Sequence, residues 1–78
     1  MDWKILDGKL VKTFTTGSFN EATQKLAEIA LLCDAMDHHP DVHIFGYKNI
    51  TFSLITHSKG TITELDYKLA NKIDACFR

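Results

Sequence analysis

The chain has 78 residues, 45% hydrophobic and 24% charged, with nine basic and ten acidic side chains and a formal net charge of -1. This length allows one domain, and the composition is that of a folded globular protein rather than a disordered one. The near-balanced charge excludes the basic stripe of a nucleic-acid binder, and the most apolar stretch, Ala27 to Cys33, is too short to cross a membrane and contains Glu28.

Residues 3–6 and 9–15 alternate in polarity around Asp7-Gly8. That dipeptide suits a tight hairpin, whose two central residues need positive φ. Two strands are expected, with Trp3 packed on the sheet and Lys4, Lys9 and Lys12 on a solvated face or edge. Ser18-Phe19-Asn20-Glu21 is a capping box: the serine accepts from the Glu21 amide while the Glu21 side chain reaches back. Phe19, Ala22, Leu26, Ile29, Ala30, Cys33 and Met36 then recur at helical spacing. Ala27, Leu31 and Leu32 widen the stripe beyond what one sheet face needs. In a chain with so small a core, the extra width predicts a second subunit. Pro40 disfavours helix at His39, so the helix ends near Asp37.

Residues 42–47 and 49–57 read as a second hairpin across Lys48-Asn49. Ile50, Phe52, Leu54 and Thr56 share one face of the later strand, and Thr51, Ser53, Ile55 and His57 the other. His57 therefore lies off the core face. After the loop Ser58-Lys59-Gly60, a second capping box, Thr63-Glu64-Leu65-Asp66, opens a helix with Leu65, Leu69, Ala70, Ile73 and Phe77 inward. The order is ββαββα. This is an α+β fold, a four-stranded antiparallel sheet with two helices packed on one face. Cys33 and Cys76 fall in separate helices as small core residues, which points to a reducing compartment. The opening Met1-Asp2-Trp3-Lys4 has no apolar signal segment, so a cytoplasmic location is expected.

The chemistry concentrates in four histidines, His38, His39, His43 and His57. Imidazole is the side chain that gives and takes protons near neutral pH. His38 and His39 stand at a helix-to-strand corner, and His57 ends a strand on its polar face. Two elements could thus aim imidazoles into one pocket. His39 and His43 are four apart, but metal ligation would need that spacing on a helix, and Pro40 opposes one. No metal is expected, and His43 is set aside as a strand surface residue.

The run Asp34-Ala35-Met36-Asp37-His38-His39-Pro40, followed by Tyr47, Thr56-His57 and Asp66, resembles the signature of the pterin-4a-carbinolamine dehydratases. The resemblance spans about Phe14 to Ile73. It implies that His38, His39 and His57 are catalytic residues lining a pterin site, with His38 and His57 exchanging protons and His39 positioning substrate. Asp34 would hold the histidine pair, Pro40 belongs to the same motif, and Tyr47 and Asp66 fill mainly architectural positions. The implied reaction is a hydro-lyase step, dehydration of a 4a-hydroxytetrahydropterin to a quinonoid dihydropterin, with no cofactor. The implied setting is tetrahydropterin recycling for an aromatic amino-acid hydroxylase, by a homodimer or homotetramer with sheets joined edge to edge. Family members commonly carry a tryptophan shortly after His-His-Pro. Val42 stands there in this chain, the segment to Tyr47 is one residue longer, and Phe45 becomes the candidate pterin wall. Two other readings compete. One is a non-catalytic coactivator of the same fold, binding partner helices through residues 19–36; the other is an acid/base enzyme for a different heterocycle.

Overall fold

The computed structural model describes residues 2–78. β1 (Lys4–Leu6) and β2 (Lys9–Thr15) are joined at Asp7 and Gly8, whose φ angles are 51° and 74°. That left-handed pair matches the twist of a two-residue hairpin. α1 (Phe19–Met36), β3 (Asp41–Phe45), β4 (Asn49–Leu54) and α2 (Glu64–Cys76) follow. The strands form one antiparallel sheet in the order β1-β2-β4-β3. α1 carries the chain past β2, and β4 returns into the gap between β2 and β3. The ββαββα order and the antiparallel sheet are as the sequence pattern predicts.

Pairing of Leu10 with Leu54 and Phe14 with Ile50 sets one register in which alternate side chains face the helices. Ala22, Ile29 and Cys33 of α1 and Leu69, Ala70 and Ile73 of α2 are buried with Leu10, Ile50, Phe52 and Leu54. Each leucine, isoleucine or phenylalanine among them contributes about 1.5–3 kcal/mol on burial. Phe14 stacks on Phe77 at 4.0 Å between centroids and meets Trp3 edge-on at 6.2 Å, closing the end of the core where the termini meet. Among the described residues, no helix is long and apolar enough to cross a membrane.

Several local expectations are corrected. Lys12 is not on a solvated face: it points to the helix side, with its ammonium 2.8 Å from Asp74 Oδ1. The Trp3 indole N–H donates to the same oxygen at 3.1 Å, so a carboxylate on α2 gives the lysine a buried-side partner. The second hairpin turns through Gly46-Tyr47-Lys48 rather than Lys48-Asn49, with φ of 54° at Gly46 and 56° at Tyr47. Gly46 takes the left-handed conformation without steric cost, while Asn49 pairs with Phe45 and accepts from the Thr15 hydroxyl at 2.8 Å. Regular pairing of β4 ends at Leu54, and only a bridge between Thr56 and Thr61 lies beyond it. The Ser18 hydroxyl accepts from the Glu21 amide at 3.0 Å, but the Glu21 carboxylate bonds the Gly17 amide instead of that of Ser18. Phe19, Ala30 and Leu65 face outward, and Asp66 takes the inner position beside which Leu65 was expected.

Candidate active site

α1 closes with Asp37 in the left-handed conformation and the His38 amide donating back to the Cys33 carbonyl at 3.1 Å. This Schellman-type turn reverses the chain within two residues. The two successive histidines therefore point to different surroundings. His38 turns inward and His39 outward, with side-chain exposures of 11% and 55%.

His38 Nε2 lies 2.6 Å from Asp66 Oδ1. Asp66 is fully buried, and its other oxygen accepts from the Thr56 hydroxyl at 2.8 Å and the Thr63 amide at 2.9 Å. Burial pushes the Asp66 carboxyl up. The hydrogen bonds from His38, the Thr63 backbone and Thr56, with the histidine's charge, outweigh that effect and hold it below its ordinary value. An ionised Asp66 accepts at both oxygens, so the His38 proton sits on Nε2 and Nδ1 is the nitrogen left to take another.

Asp34 holds only one member of the histidine pair. Its Oδ1 meets His39 Nε2 at 2.9 Å on the surface, whereas His38 is held by Asp66, a position to which the resemblance gave a mainly architectural part. A signal for this was present. Asp66 stands three and four residues before Leu69 and Ala70 on the buried stripe of α2, where an acid persists only if its charge is met.

His38, His39 and His57 line one open cleft of about 300 Å³, together with Asp37, Thr56, Ser58 and Leu65. That volume is at the lower end of the range for small-molecule sites, roughly 300–1,000 Å³. Pro40 lines a separate apolar hollow of about 140 Å³ with Leu26, Ala30 and Val42, and His39 borders both. Phe45 lies at the far end of β3, paired with Asn49 and outside the cleft of its own chain. Tyr47 is exposed at the hairpin tip, with the Lys48 ammonium 5.7 Å from its ring centroid. His43 sits on the helix-free sheet face beside Phe45, ring centroids 5.5 Å apart. Among the described residues, no three His, Cys, Asp or Glu side chains gather as a metal site requires.

The molecule is thus a small α+β domain that brings one carboxylate-held imidazole and two further imidazoles to the same cleft. The chain belongs to the pterin-4a-carbinolamine dehydratase family. The family model described as pterin 4 alpha carbinolamine dehydratase matches residues 1–76. A Saccharolobus islandicus relative is 45% identical over 78 residues, covering 97% of this chain and 78% of its own. One from Sulfolobus acidocaldarius is 40% identical over 72 residues, 92% of this chain and 78% of its own. Both carry the name pterin-4-alpha-carbinolamine dehydratase provisionally. A crystal structure described as a transcriptional coactivator/pterin dehydratase from Brucella melitensis superposes with a TM-score of 0.88 at 34% identity, covering 96% of this chain and 81% of its own. A pterin dehydratase-like RuBisCO assembly factor of the alpha-carboxysome shares the fold, with a TM-score of 0.80 at 24% identity, over 97% of this chain and 89% of its own.

Proposed function

We propose that this protein dehydrates a 4a-hydroxytetrahydropterin, with His38 as general base and His57 as general acid. The substrate carries a hydroxyl on a ring carbon next to a secondary amine. His38 Nδ1 takes the amine proton, the nitrogen lone pair forms a C=N bond, and the C–O bond breaks. His57 delivers a proton to the departing hydroxyl, which leaves as water. Proton transfers of this kind are typically worth about a hundred- to ten-thousandfold in rate. His39 borders the cleft and orients the pterin, with Asp34 holding its ring. No cofactor enters the step.

The observation that carries this reading is the 2.6 Å bond from His38 to a fully buried Asp66, because a carboxylate there stabilises the imidazolium that proton removal creates. Stopped-flow decay of the carbinolamine with the chain and with His38→Ala and His57→Ala is the test. Wild-type rates in both variants would refute the assignment. In this reading the product is a quinonoid dihydropterin. The step then belongs to the recycling of a tetrahydropterin used by an aromatic amino-acid hydroxylase, carried out in the cytoplasm by a homodimer or homotetramer.

A second reading, a non-catalytic partner-binding coactivator, is favoured by the outer side of α1, where Leu31, opposite the buried Ala22, Ile29 and Cys33, is 72% exposed with exposed Ala27 one turn before it. An apolar strip there suits a second helix surface. In that reading the chain does not dehydrate the carbinolamine, and Leu31→Glu should shift the size-exclusion profile to smaller species. An unchanged profile would remove the support for an α1 interface.

A further inference from the structure

We infer that Thr56 is the positioning residue of this cleft, one side chain and its two flanking peptide groups that hold the orienter of His38 and the turn bearing His57 in a single frame. The kinetic part of this inference rests on the dehydratase reading; the structural part stands on geometry alone.

Thr56 is buried at 6% exposure, just past the regular pairing of β4. Its hydroxyl lies 2.8 Å from Asp66 Oδ2 and 2.7 Å from the Thr63 hydroxyl. A carboxylate only accepts, so Thr56 donates to Asp66, and the Thr63 hydroxyl must donate to Thr56. The Thr63 oxygen in turn accepts from the Leu65 amide at 3.3 Å. The hydrogen bonds thus run one way, from the start of α2 through Thr63 and Thr56 into Asp66. With Oδ2 occupied by Thr56 and the Thr63 amide, turning the carboxyl away would break two hydrogen bonds. Oδ1 is thus kept against His38, and an acceptor held there keeps the ring's proton on Nε2.

The main chain of the same residue serves His57. The Thr56 amide donates to the Thr61 carbonyl at 3.1 Å, and its own carbonyl accepts from the Lys59 and Gly60 amides at 3.0 and 2.9 Å. These bonds close the 57–60 turn, and Gly60 takes the positive φ of 66° that the closure needs. A hydroxyl on one side and two peptide groups on the other therefore set the separation of two imidazoles that come from distant parts of the chain. Valine at 56 keeps the shape without the hydroxyl; serine keeps the hydroxyl without the methyl.

Imidazole ¹⁵N NMR of the whole chain without substrate tests the structural part, and steady-state dehydration the kinetic part. The unmodified chain and Thr56→Ser should show His38 in the Nε2–H tautomer alone. Thr56→Val should show both tautomers and a kcat lower by about ten- to a hundredfold, with KM little changed. Thr56→Cys keeps a weak donor in place. It should give an intermediate mixture, and it decides the matter if the valine chain does not fold. A single tautomer with unchanged kcat in the Val or Cys variant, whatever its melting temperature, overturns the inference. If the unmodified chain does not dehydrate pterin at all, the dehydratase reading falls, and the tautomer spectra still judge Thr56.

Discussion

Replacing Asp66 with asparagine tests the reasoning about the cleft most directly, because the side chain keeps its shape and loses only its charge and one acceptor. The carboxylate receives three hydrogen bonds, from His38 at 2.6 Å, Thr56 at 2.8 Å and the Thr63 amide at 2.9 Å. An amide has one oxygen for these three. If that oxygen faces Thr56 and Thr63, the NH2 group faces His38, which must then accept at Nε2 and carry its proton on Nδ1. If the amide is reversed, its NH2 opposes the Thr63 N–H, donor against donor. The first arrangement puts the proton on the nitrogen that should receive one, and the second leaves buried donors unmet. Loss of charge-assisted bonds at a buried site costs about 1.5–3 kcal/mol. For a domain of this size that corresponds to a melting temperature lower by roughly 10–20 °C. The wrong tautomer should lower kcat by on the order of ten-thousandfold, as asparagine does in the serine-protease carboxylate–histidine pair. Stopped-flow assays well below the melting point, with circular dichroism on the same samples, separate the two effects. A folded Asp66→Asn chain within a few-fold of the parent rate would show that Asp66 does not set the His38 proton.

Three further outcomes follow from the same contacts. The Asp66 carboxyl titrates in the folded chain below its unfolded value of about 3.9, so its stabilisation is complete above that pH and is lost as pH falls through the folded value. Chemical unfolding between pH 6 and 2 should therefore show stability falling below about pH 4, with a shallower fall in Asp66→Asn; parallel curves would assign the loss to other carboxyls. His39→Ala should raise KM more than it lowers kcat, since the proposal gives its exposed, cleft-lining ring the task of orienting substrate; a loss confined to kcat would make it a proton-transfer residue. Asp74→Ala removes the acceptor of the Trp3 indole and the nearer of two carboxylates at the Lys12 ammonium, leaving Asp2 at 3.6 Å, and should cost about 1–3 kcal/mol, read as a lower urea midpoint; an unchanged midpoint would show that water or Asp2 replaces the carboxylate freely.

What the sequence disclosed was mostly what neighbours in the chain decide. Asp7-Gly8 set its own turn, Ser18 its own cap, and the alternation from Ile50 to Thr56 its own buried face, because each depends on residues a few positions away. Lys12 and the second hairpin escaped because their outcome depends on partners far along the chain. Asp74 is 62 positions from Lys12, and the Asn49 side chain is engaged by Thr15, 34 positions earlier. The three cleft histidines could be named from the resemblance to the dehydratase signature, yet that resemblance could not tell which carboxylate serves which ring. Asp34, four residues before His38, was the nearer candidate, and the Schellman turn at Asp37 gave it His39 instead.

The two carboxylate–histidine contacts differ little in length, 2.6 and 2.9 Å, and very much in surroundings. Asp34 and His39 have side chains 75% and 55% exposed, so water and salt screen their attraction to the order of 0–1 kcal/mol. Asp66 is wholly enclosed and His38 nearly so, where the field between them is little screened and the carboxyl cannot turn away. The proposed dehydration asks one imidazole to accept a proton and another to release one within one cleft. Chemically identical side chains divide such roles only if their environments differ. His38 rests against a buried carboxylate, while His57 is exposed on its turn. The asymmetry that the proposal calls for is thus supplied by burial, through an acid on the inner face of α2.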